Sequence, residues 1–219
     1  FCGACVNPPN FAIVTEFCAN GSLYDKLHKL AQKHQFSWEK KIQLLIEIAR
    51  GLNFLHRRGL IHRDMKSHNV LLTGNMVAKV ADFGLSRTKQ NNERQMTQLV
   101  GTPLWMAPEV TLSGEYNESC DVYSFGIMLY EMLTKQLPFY DQPKVMNVQL
   151  RVANDPNFRP TLPSDLSAIE SSVSSHVKEQ YIEIMTLCWG HDPHKRPTLS
   201  TVIERLRAMS AEDQTPTVQ

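Results

Sequence analysis

Residues 61–69 read Ile-His-Arg-Asp-Met-Lys-Ser-His-Asn, and this stretch decides how the remainder of the chain is interpreted. It places a carboxylate at Asp64, an amine at Lys66 and a carboxamide at Asn69, within a segment that shows no helical pattern. A single aspartate or asparagine in a loop is ordinarily a turn residue or a helix cap. The stretch therefore gains its meaning from the motifs that stand around it.

Two further motifs follow this loop along the chain. Asp82-Phe-Gly84 comes first, and Trp105-Met-Ala-Pro-Glu109 follows after a polar stretch. Each motif alone is a weak match, whereas the ordered set H-R-D-x-K-x-x-N, D-F-G and A-P-E is very improbable by chance. The set resembles the signature of eukaryotic protein kinases, and the resemblance runs from Phe1 to about Met209.

The resemblance implies a role for each polar residue in phosphoryl transfer from ATP to a protein substrate. Asp64 would accept the proton of the substrate hydroxyl, and Lys66 would offset negative charge at the γ-phosphate. Asn69 and Asp82 would hold Mg²⁺, a hard cation that prefers oxygen ligands. ATP and Mg²⁺ are therefore the implied cofactors.

The residues ahead of the first long helix resemble the adenine-binding segment of the family. Thr15 resembles the gatekeeper, a small residue that leaves a back pocket open. The hinge, whose backbone reads the adenine edge, would run from Glu16 to Cys18, and Leu71 would pack beneath the ring. The implied nucleotide-contacting residues are Thr15, Glu16, Phe17, Cys18, Leu71 and Asp82.

Two residues resemble those of Ser/Thr-specific members. Lys66 occupies a position where tyrosine kinases usually carry alanine or arginine, and Thr102 resembles a threonine that bonds back to the catalytic loop. Residues 13–18, 20–23 and 105–110 resemble the tyrosine-kinase-like group, which includes the Raf and mixed-lineage kinases. A Ser/Thr kinase in signal transduction is therefore expected, with a dual-specificity or tyrosine kinase as the alternative.

Four residues resemble structural parts of the family. Asp121 resembles the buried aspartate that ties the catalytic loop to the following helix. Glu109 and Arg196 resemble the ion pair that fixes the end of the activation segment. Phe83 would stack in a hydrophobic column that includes Phe1.

Regulation is implied by Arg63, which precedes the catalytic aspartate. In kinases of this pattern, that arginine pairs with a phosphate on the activation segment. Among the hydroxyl residues of this segment, Thr97 is favoured over Ser86 and Thr88 by its distance ahead of Gly101. An upstream activating kinase is a possible partner.

The hydrophobic pattern predicts a mostly helical chain with a small strand pair at its start, and the resemblance implies an α+β, protein kinase-like fold. Helices are predicted over 22–30, 38–57, 119–133, 143–154, 175–189 and 198–209, with Ser22 and Ser37 as N-caps. Strands are predicted at 11–17, 60–61, 70–72 and 78–80, and a long loop at 86–100.

The resemblance also divides the chain. Residues 1–209 would form a partial kinase domain, with 1–18 as the end of the N-lobe and hinge and 19–209 as the C-lobe. The polar tail from Ser210 to Gln219 is expected to be disordered.

Two motifs of the family are not found in the sequence: a glycine-rich G-x-G-x-x-G loop and a strand lysine of the V-A-I-K kind. We therefore expect a fragment whose parent carries those parts, and no measurable turnover from residues 1–219 alone. The alternative is a truncated or pseudokinase-type binding module.

Composition limits the other classes of function. The formal net charge is +1, which gives no indication of nucleic-acid binding, and no apolar run is long enough to span a bilayer. Five scattered cysteines do not form a disulfide framework, which favours a reducing, cytoplasmic location. Cys2 and Cys5 lack the second half of a zinc site and are interpreted as ordinary strand residues.

Overall fold

The computed structural model of the chain describes residues 2–29, 35–82, 87–88, 103–112, 116–142, 145–163 and 173–212. Predictions made for Phe1, Phe83, Ser86, Thr97 and Thr102 fall outside the described residues.

The chain begins with the predicted hairpin. Strand β1 (Gly3–Cys5) pairs antiparallel with β2 (Ala12–Val14), and Gly3 lies opposite Val14. The strand predicted over 11–17 is shorter in the structure, because β1 offers pairing partners only to Ala12–Val14.

Two capped helices follow the hairpin, and both N-caps were predicted. Helix α1 (Leu23–His28) starts with a capping box, in which the Asp25 amide donates to Ser22 Oγ over 3.1 Å and the Ser22 amide donates to the Asp25 carboxylate over 3.3 Å. Helix α2 (Trp38–Arg57) starts at Ser37, whose hydroxyl accepts from the Lys40 amide. Gly59 follows α2 with a positive φ of 72°, the left-handed backbone that glycine adopts at little cost.

Three short strands lie around residues 62–69, the predicted catalytic loop. They form where the apolar runs of the sequence predicted strands. Strand β3 is Leu60–Ile61, and β4 (Val70–Leu72) pairs antiparallel with β5 (Ala78–Val80). The partner of β3 is β6 (Arg87–Thr88), which lies inside the segment predicted to be a loop. That prediction is wrong at β6, because a two-residue strand formed by pairing with a distant segment leaves no periodicity in its own sequence.

Five further helices build the rest of the described chain. They are α3 (Pro108–Leu112), α4 (Ser119–Thr134), α5 (Val145–Asn154), α6 (Ser175–Cys188) and α7 (Leu199–Glu212). Every residue of α4 from Cys120 to Leu133 is buried, so this helix is the axis of the hydrophobic core. The helix-rich architecture with a few strand pairs confirms the predicted α+β, kinase-like fold class.

The boundary predicted for the C-terminal tail needs correction. Helix α7 continues through Ser210 to Glu212, because its hydrogen-bonded turn carries on past the last buried residue, Met209. Residues 213–219 lie outside the described residues. No helix in the described ranges is both long enough and apolar enough to cross a membrane.

Candidate active site

The three predicted catalytic residues lie together in the loop between β3 and β4. Lys66 Nζ is 2.8 Å from Asp64 Oδ2. Asn69 Nδ2 donates to the Asp64 carbonyl oxygen over 2.7 Å and to Asp64 Oδ2 over 3.1 Å. Asp64 and Asn69 are both buried, so these contacts hold the carboxylate in one orientation.

The backbone of this loop explains how the three side chains meet. Residues Ser67–Asn69 form a 3₁₀ turn, closed by the Asn69 amide that donates to the Lys66 carbonyl over 2.9 Å. Arg63 has a positive φ of 74°, which turns the chain sharply just ahead of Asp64. A non-glycine residue in that region is uncommon and is held there by its surroundings.

Asp121, at the start of α4, fixes this backbone conformation through its carboxylate. Its carboxylate is fully buried and accepts from the amides of His62 and Arg63, each over 2.9 Å. His56 Nε2, from the last turn of α2, lies 2.8 Å from Asp121 Oδ2. The sequence predicts Asp121 but not His56. His56 belongs to no motif, and it meets Asp121 only when α2 and α4 pack together.

Asn69 and Asp82 lie at the same end of the β4–β5 pair. The Ala81 amide donates to the Asn69 carbonyl over 2.9 Å, and His62 Nε2 lies 3.0 Å from the Ala81 carbonyl oxygen. Asp82 itself is exposed and has a positive φ of 63°. The neighbouring backbones therefore bring the two predicted metal ligands to one edge of the catalytic loop.

The donor set at this edge fits magnesium. The Asn69 side chain donates two hydrogen bonds through Nδ2, so its amide oxygen is the atom suited to a cation, and Asp82 adds a carboxylate. Mg²⁺ is typically bound by one or two such oxygen groups together with phosphates. Within the described ranges, no group of three or more His, Cys, Asp or Glu side chains is assembled as a metal cage.

Residues 20–22, which follow the predicted hinge, run beside β4. The Asn20 amide donates to the Leu72 carbonyl over 3.0 Å, the Leu72 amide donates to the Gly21 carbonyl over 2.9 Å, and Ser22 forms a β-bridge with Leu71. Leu71 is partly exposed, whereas Leu23, Met128 and Met132 are fully buried. The structure thus places Leu71 next to residues 20–22, which follow the predicted hinge in the chain.

The first hinge residues are exposed. Phe17 is 86% exposed, Thr15 is exposed as well, and the Glu16 carboxylate lies 3.2 Å from Lys79 Nζ. Cys18 is half-buried, and its pKa is raised by burial first and by the Glu16 carboxylate second. Among the described residues, Thr15 is therefore not packed into the core.

Glu109 and Arg196 lie in direct bidentate contact. Arg196 Nη1 and Nη2 donate to the two Glu109 carboxylate oxygens over 2.6 and 2.7 Å. The same guanidinium donates to the carbonyl oxygens of Ser119, Gly190 and His191. One buried side chain therefore connects α3, the start of α4 and the loop after α6.

The side chain of Arg63, the predicted regulatory residue, lies beside Tyr116. Its guanidinium lies 5.7 Å from the centre of the Tyr116 ring. Arg63 Nε and Nη1 are buried and have no hydrogen-bond partner among the described residues. The carbonyl or anion that such a group needs is therefore not supplied by the part of the chain that the structure describes.

Sequence reasoning missed a second buried carboxylate, Glu131 on α4. Ser67 Oγ donates to Glu131 Oε1 over 2.7 Å, and His28 Nε2 lies 2.8 Å from the same oxygen. Trp105 Nε1 donates to Glu131 Oε2 over 2.7 Å. The available signal was the one carboxylate in the otherwise mostly apolar stretch 122–133 of α4, because such a group is buried only with partners.

An aromatic stack covers this carboxylate beside the catalytic loop. The rings of Tyr24 and His68 stack with centres 3.6 Å apart, and the His68 ring meets the Trp105 ring edge-on at 5.8 Å. The pKa of His68 is lowered chiefly by its partial removal from water, while the nearby Glu131 carboxylate acts in the opposite direction.

Comparison with known proteins agrees with this geometry. The chain is 40% identical over 97% of its length to serine/threonine-protein kinase STY46 of Arabidopsis thaliana, and 36% identical over 95% to serine/threonine-protein kinase CTR1 of the same plant. It is 38% identical over 94% of its length to dual specificity protein kinase shkD of Dictyostelium discoideum. The chain spans 34%, 24% and 26% of those three proteins, so it matches about a third or less of each.

A family-level comparison covers nearly the whole chain. The sequence model of the family described as protein tyrosine and serine/threonine kinase matches residues 1–206. The resemblance first identified at residues 61–69 is thereby confirmed, and the chain belongs to the protein tyrosine and serine/threonine kinase family.

Proposed function

We propose that the protein containing this chain is a serine/threonine kinase that transfers the γ-phosphate of ATP to hydroxyl groups of protein substrates in signal transduction. The observation that carries the proposal is the Asp64 carboxylate, held by Lys66 at 2.8 Å and by Asn69 at 3.1 Å. A buried, oriented carboxylate beside a cation is suited to a reaction that depends on positioning and charge stabilisation.

The proposed reaction is an in-line displacement at phosphorus. The substrate hydroxyl oxygen forms a bond to the γ-phosphorus, the bond from that phosphorus to the β,γ-bridging oxygen breaks, and ADP leaves. Asp64 accepts the hydroxyl proton, and Lys66 offsets the charge that develops on the transferred group. Mg²⁺, when bound at Asn69 and Asp82, neutralises phosphate charge.

Nucleotide binding is proposed along the hinge. The backbone of Glu16, Phe17 and Cys18 would read the adenine edge, Leu71 would pack beneath it, and Thr15 would act as gatekeeper. The bonds that join residues 20–22 to β4 support this, because they hold the segment that follows the hinge beside Leu71.

Serine/threonine specificity is the finer part of the proposal. Lys66 and Thr102 favour it, and two of the relatives named above are serine/threonine-protein kinases while one is a dual specificity kinase. Phosphoamino-acid analysis of a labelled protein substrate distinguishes these outcomes, since phosphotyrosine above background would establish dual specificity.

Control by phosphorylation is proposed through Arg63, with Thr97 as the acceptor and an upstream kinase as partner. The two buried guanidinium nitrogens of Arg63 support this, because a phosphate is the kind of acceptor they suit. Mass spectrometry of active protein that shows no phosphate at Thr97 would rule out that acceptor.

Phe83 is proposed as a structural residue next to Asp82, and a cytoplasmic location is proposed from cysteine usage.

The decisive experiment replaces Asp64 by asparagine in the full-length protein. Asp64→Asn keeps the shape of the side chain and removes the base, so phosphate transfer is expected to fall by about 10²–10⁴-fold. The matched control is Glu183→Gln, which makes the same chemical change in an exposed ion pair with Arg205 and is expected to retain activity. Full activity of Asp64→Asn would contradict the proposed mechanism, and an inactive wild-type protein would favour a binding module.

A further inference from the structure

We propose that Glu131 is a positioning residue that couples the catalytic loop to residues 103–105 and to α1. The inference rests on the kinase activity proposed above. Glu131 has no exposed surface, and its two carboxylate oxygens contact three separate parts of the chain.

The first link leads from Glu131 to the catalytic aspartate. Ser67 donates its hydroxyl to Glu131 and is the first residue of the 3₁₀ turn that ends at Asn69. Asn69 in turn donates to the Asp64 carboxylate. A shift of Ser67 therefore moves the turn that orients Asp64.

The second link leads to the segment that precedes α3. Trp105 donates its indole N–H to Glu131 Oε2, and Ser124 donates its hydroxyl to the Trp105 carbonyl over 2.7 Å. Both acceptor and donor stand on α4, so this helix holds Trp105 at its side chain and at its backbone. The indole also touches His68 of the catalytic loop edge-on.

The third link leads to α1. His28 lies in the last turn of α1 and approaches the oxygen that also accepts from Ser67. The ring of Tyr24, from the same helix, stacks on His68. Helix α1 follows the predicted hinge after residues 19–22, so this contact joins the carboxylate to the helix that leads away from the hinge.

The arrangement is strict because the carboxylate is buried. Leaving a buried polar group without its partners destabilises the fold, and more so when the group is charged. All three donors must therefore stay at Glu131 together, which ties the three segments to one geometry. Side-chain networks of this kind specify structure when every member is satisfied.

A pair of substitutions at Glu131 separates hydrogen bonding from packing. In Glu131→Gln, the amide oxygen can accept from Trp105 while the amide NH₂ donates to Ser67 Oγ, so the geometry is retained. Glu131→Met has a similar shape and no strong acceptor. We expect kcat of the full-length protein to fall by about tenfold or more in Glu131→Met and by less than about threefold in Glu131→Gln, with KM for ATP nearly unchanged in both.

A double-mutant cycle tests the coupling with milder changes, in case Glu131→Met folds poorly. Ser67→Ala and Trp105→Phe each remove one donor to Glu131, the first with little change in volume and the second with a smaller aromatic ring in place of the indole. Because both act through the same carboxylate, the double variant should lose much less kcat than the product of the two single losses. Purely multiplicative losses would overturn the proposal, as would equal kcat values for Glu131→Gln and Glu131→Met.

Amide hydrogen exchange provides a readout that does not depend on activity. In Glu131→Met, protection should fall together in residues 62–69 and 104–105, while α2 keeps its protection. A change confined to α4 would overturn the coupling even in a protein without kinase activity. If the wild-type protein transfers no phosphate but the exchange pattern is as expected, the proposed function is contradicted. The coupling is then still supported.

Discussion

Two residues of α4, Asp121 and Glu131, fix the geometry of the catalytic loop. Asp121 accepts from two consecutive backbone amides of the catalytic loop, and Glu131 accepts from a side chain of the same loop. Each carboxylate also has an imidazole at 2.8 Å, from His56 and His28 respectively. Two buried carboxylates on one helix therefore fix both ends of the loop that carries Asp64.

At the residue scale, we predict that His191 makes stability depend on pH. Its pKa is lowered from the ordinary 6.5, first by burial and then by the guanidinium groups of Arg159 and Arg196. The unfolded chain therefore binds a proton more readily than the folded one, so stability falls as the pH drops through 6.5 and is unaffected well above it. His191→Gln should flatten the pH dependence of the melting temperature between about pH 7 and pH 5.

The control for this prediction is His176→Gln, an equivalent change at an exposed position of α6. It should leave the slope of melting temperature against pH as in the wild-type protein. Parallel curves for His191→Gln and the wild type would contradict the prediction.

At the scale of elements, the helices are joined by a few side chains that accept or donate several bonds at once. Arg196 is the clearest example, because its guanidinium bonds to Glu109 of α3 and to the carbonyl of Ser119 in α4. Tyr181 of α6 likewise donates to the Leu129 carbonyl over 2.8 Å within α4. These contacts fix how the helices meet, in addition to apolar packing.

We predict that Arg196→Ala destabilises the fold by about 3–5 kcal/mol, because it removes the bidentate contact with the Glu109 carboxylate and the donor to three backbone carbonyl oxygens. The free energy of unfolding in urea measures the loss. Arg205→Ala serves as the control, since it removes an arginine from an exposed pair and should cost less than about 1 kcal/mol. Equal losses for the two variants would show that the buried pair has no special weight.

At the scale of the whole molecule, the chain closes on itself through α7. The apolar face of α7 is buried in the same core that contains α2, although the two helices are far apart in sequence. Its buried side chains are Leu199, Val202, Ile203, Leu206 and Met209. Helix α7 packs chiefly against α2 and α6, so we expect it to support the fold more than the chemistry.

We therefore predict that Leu206→Ala separates stability from activity. Leu206 is fully buried, so its truncation should cost about 2–5 kcal/mol of unfolding free energy, while kcat measured well below the melting temperature stays unchanged. Leu187→Ala, at a position that is 37% exposed, should cost clearly less. A large fall in kcat for folded Leu206→Ala would show that α7 contributes to the site.

The sequence by itself determined the features that depend on neighbouring residues. The caps Ser22 and Ser37, the helix from Trp38 to Arg57 and the kinase family followed from local hydrogen bonding, from apolar spacing and from the motifs at Asp64 and Asp82. These signals are readable because capping and periodicity act over a few residues.

Only the tertiary structure decided which distant groups meet. The pairing of β6 with β3, the approach of His56 to Asp121 and the three donors at Glu131 could not be predicted from the sequence. A buried carboxylate requires partners. The residues next to it in the sequence do not indicate which segments of the chain will supply them. That choice is made when the helices pack, because only then do groups from distant parts of the chain come within hydrogen-bonding distance.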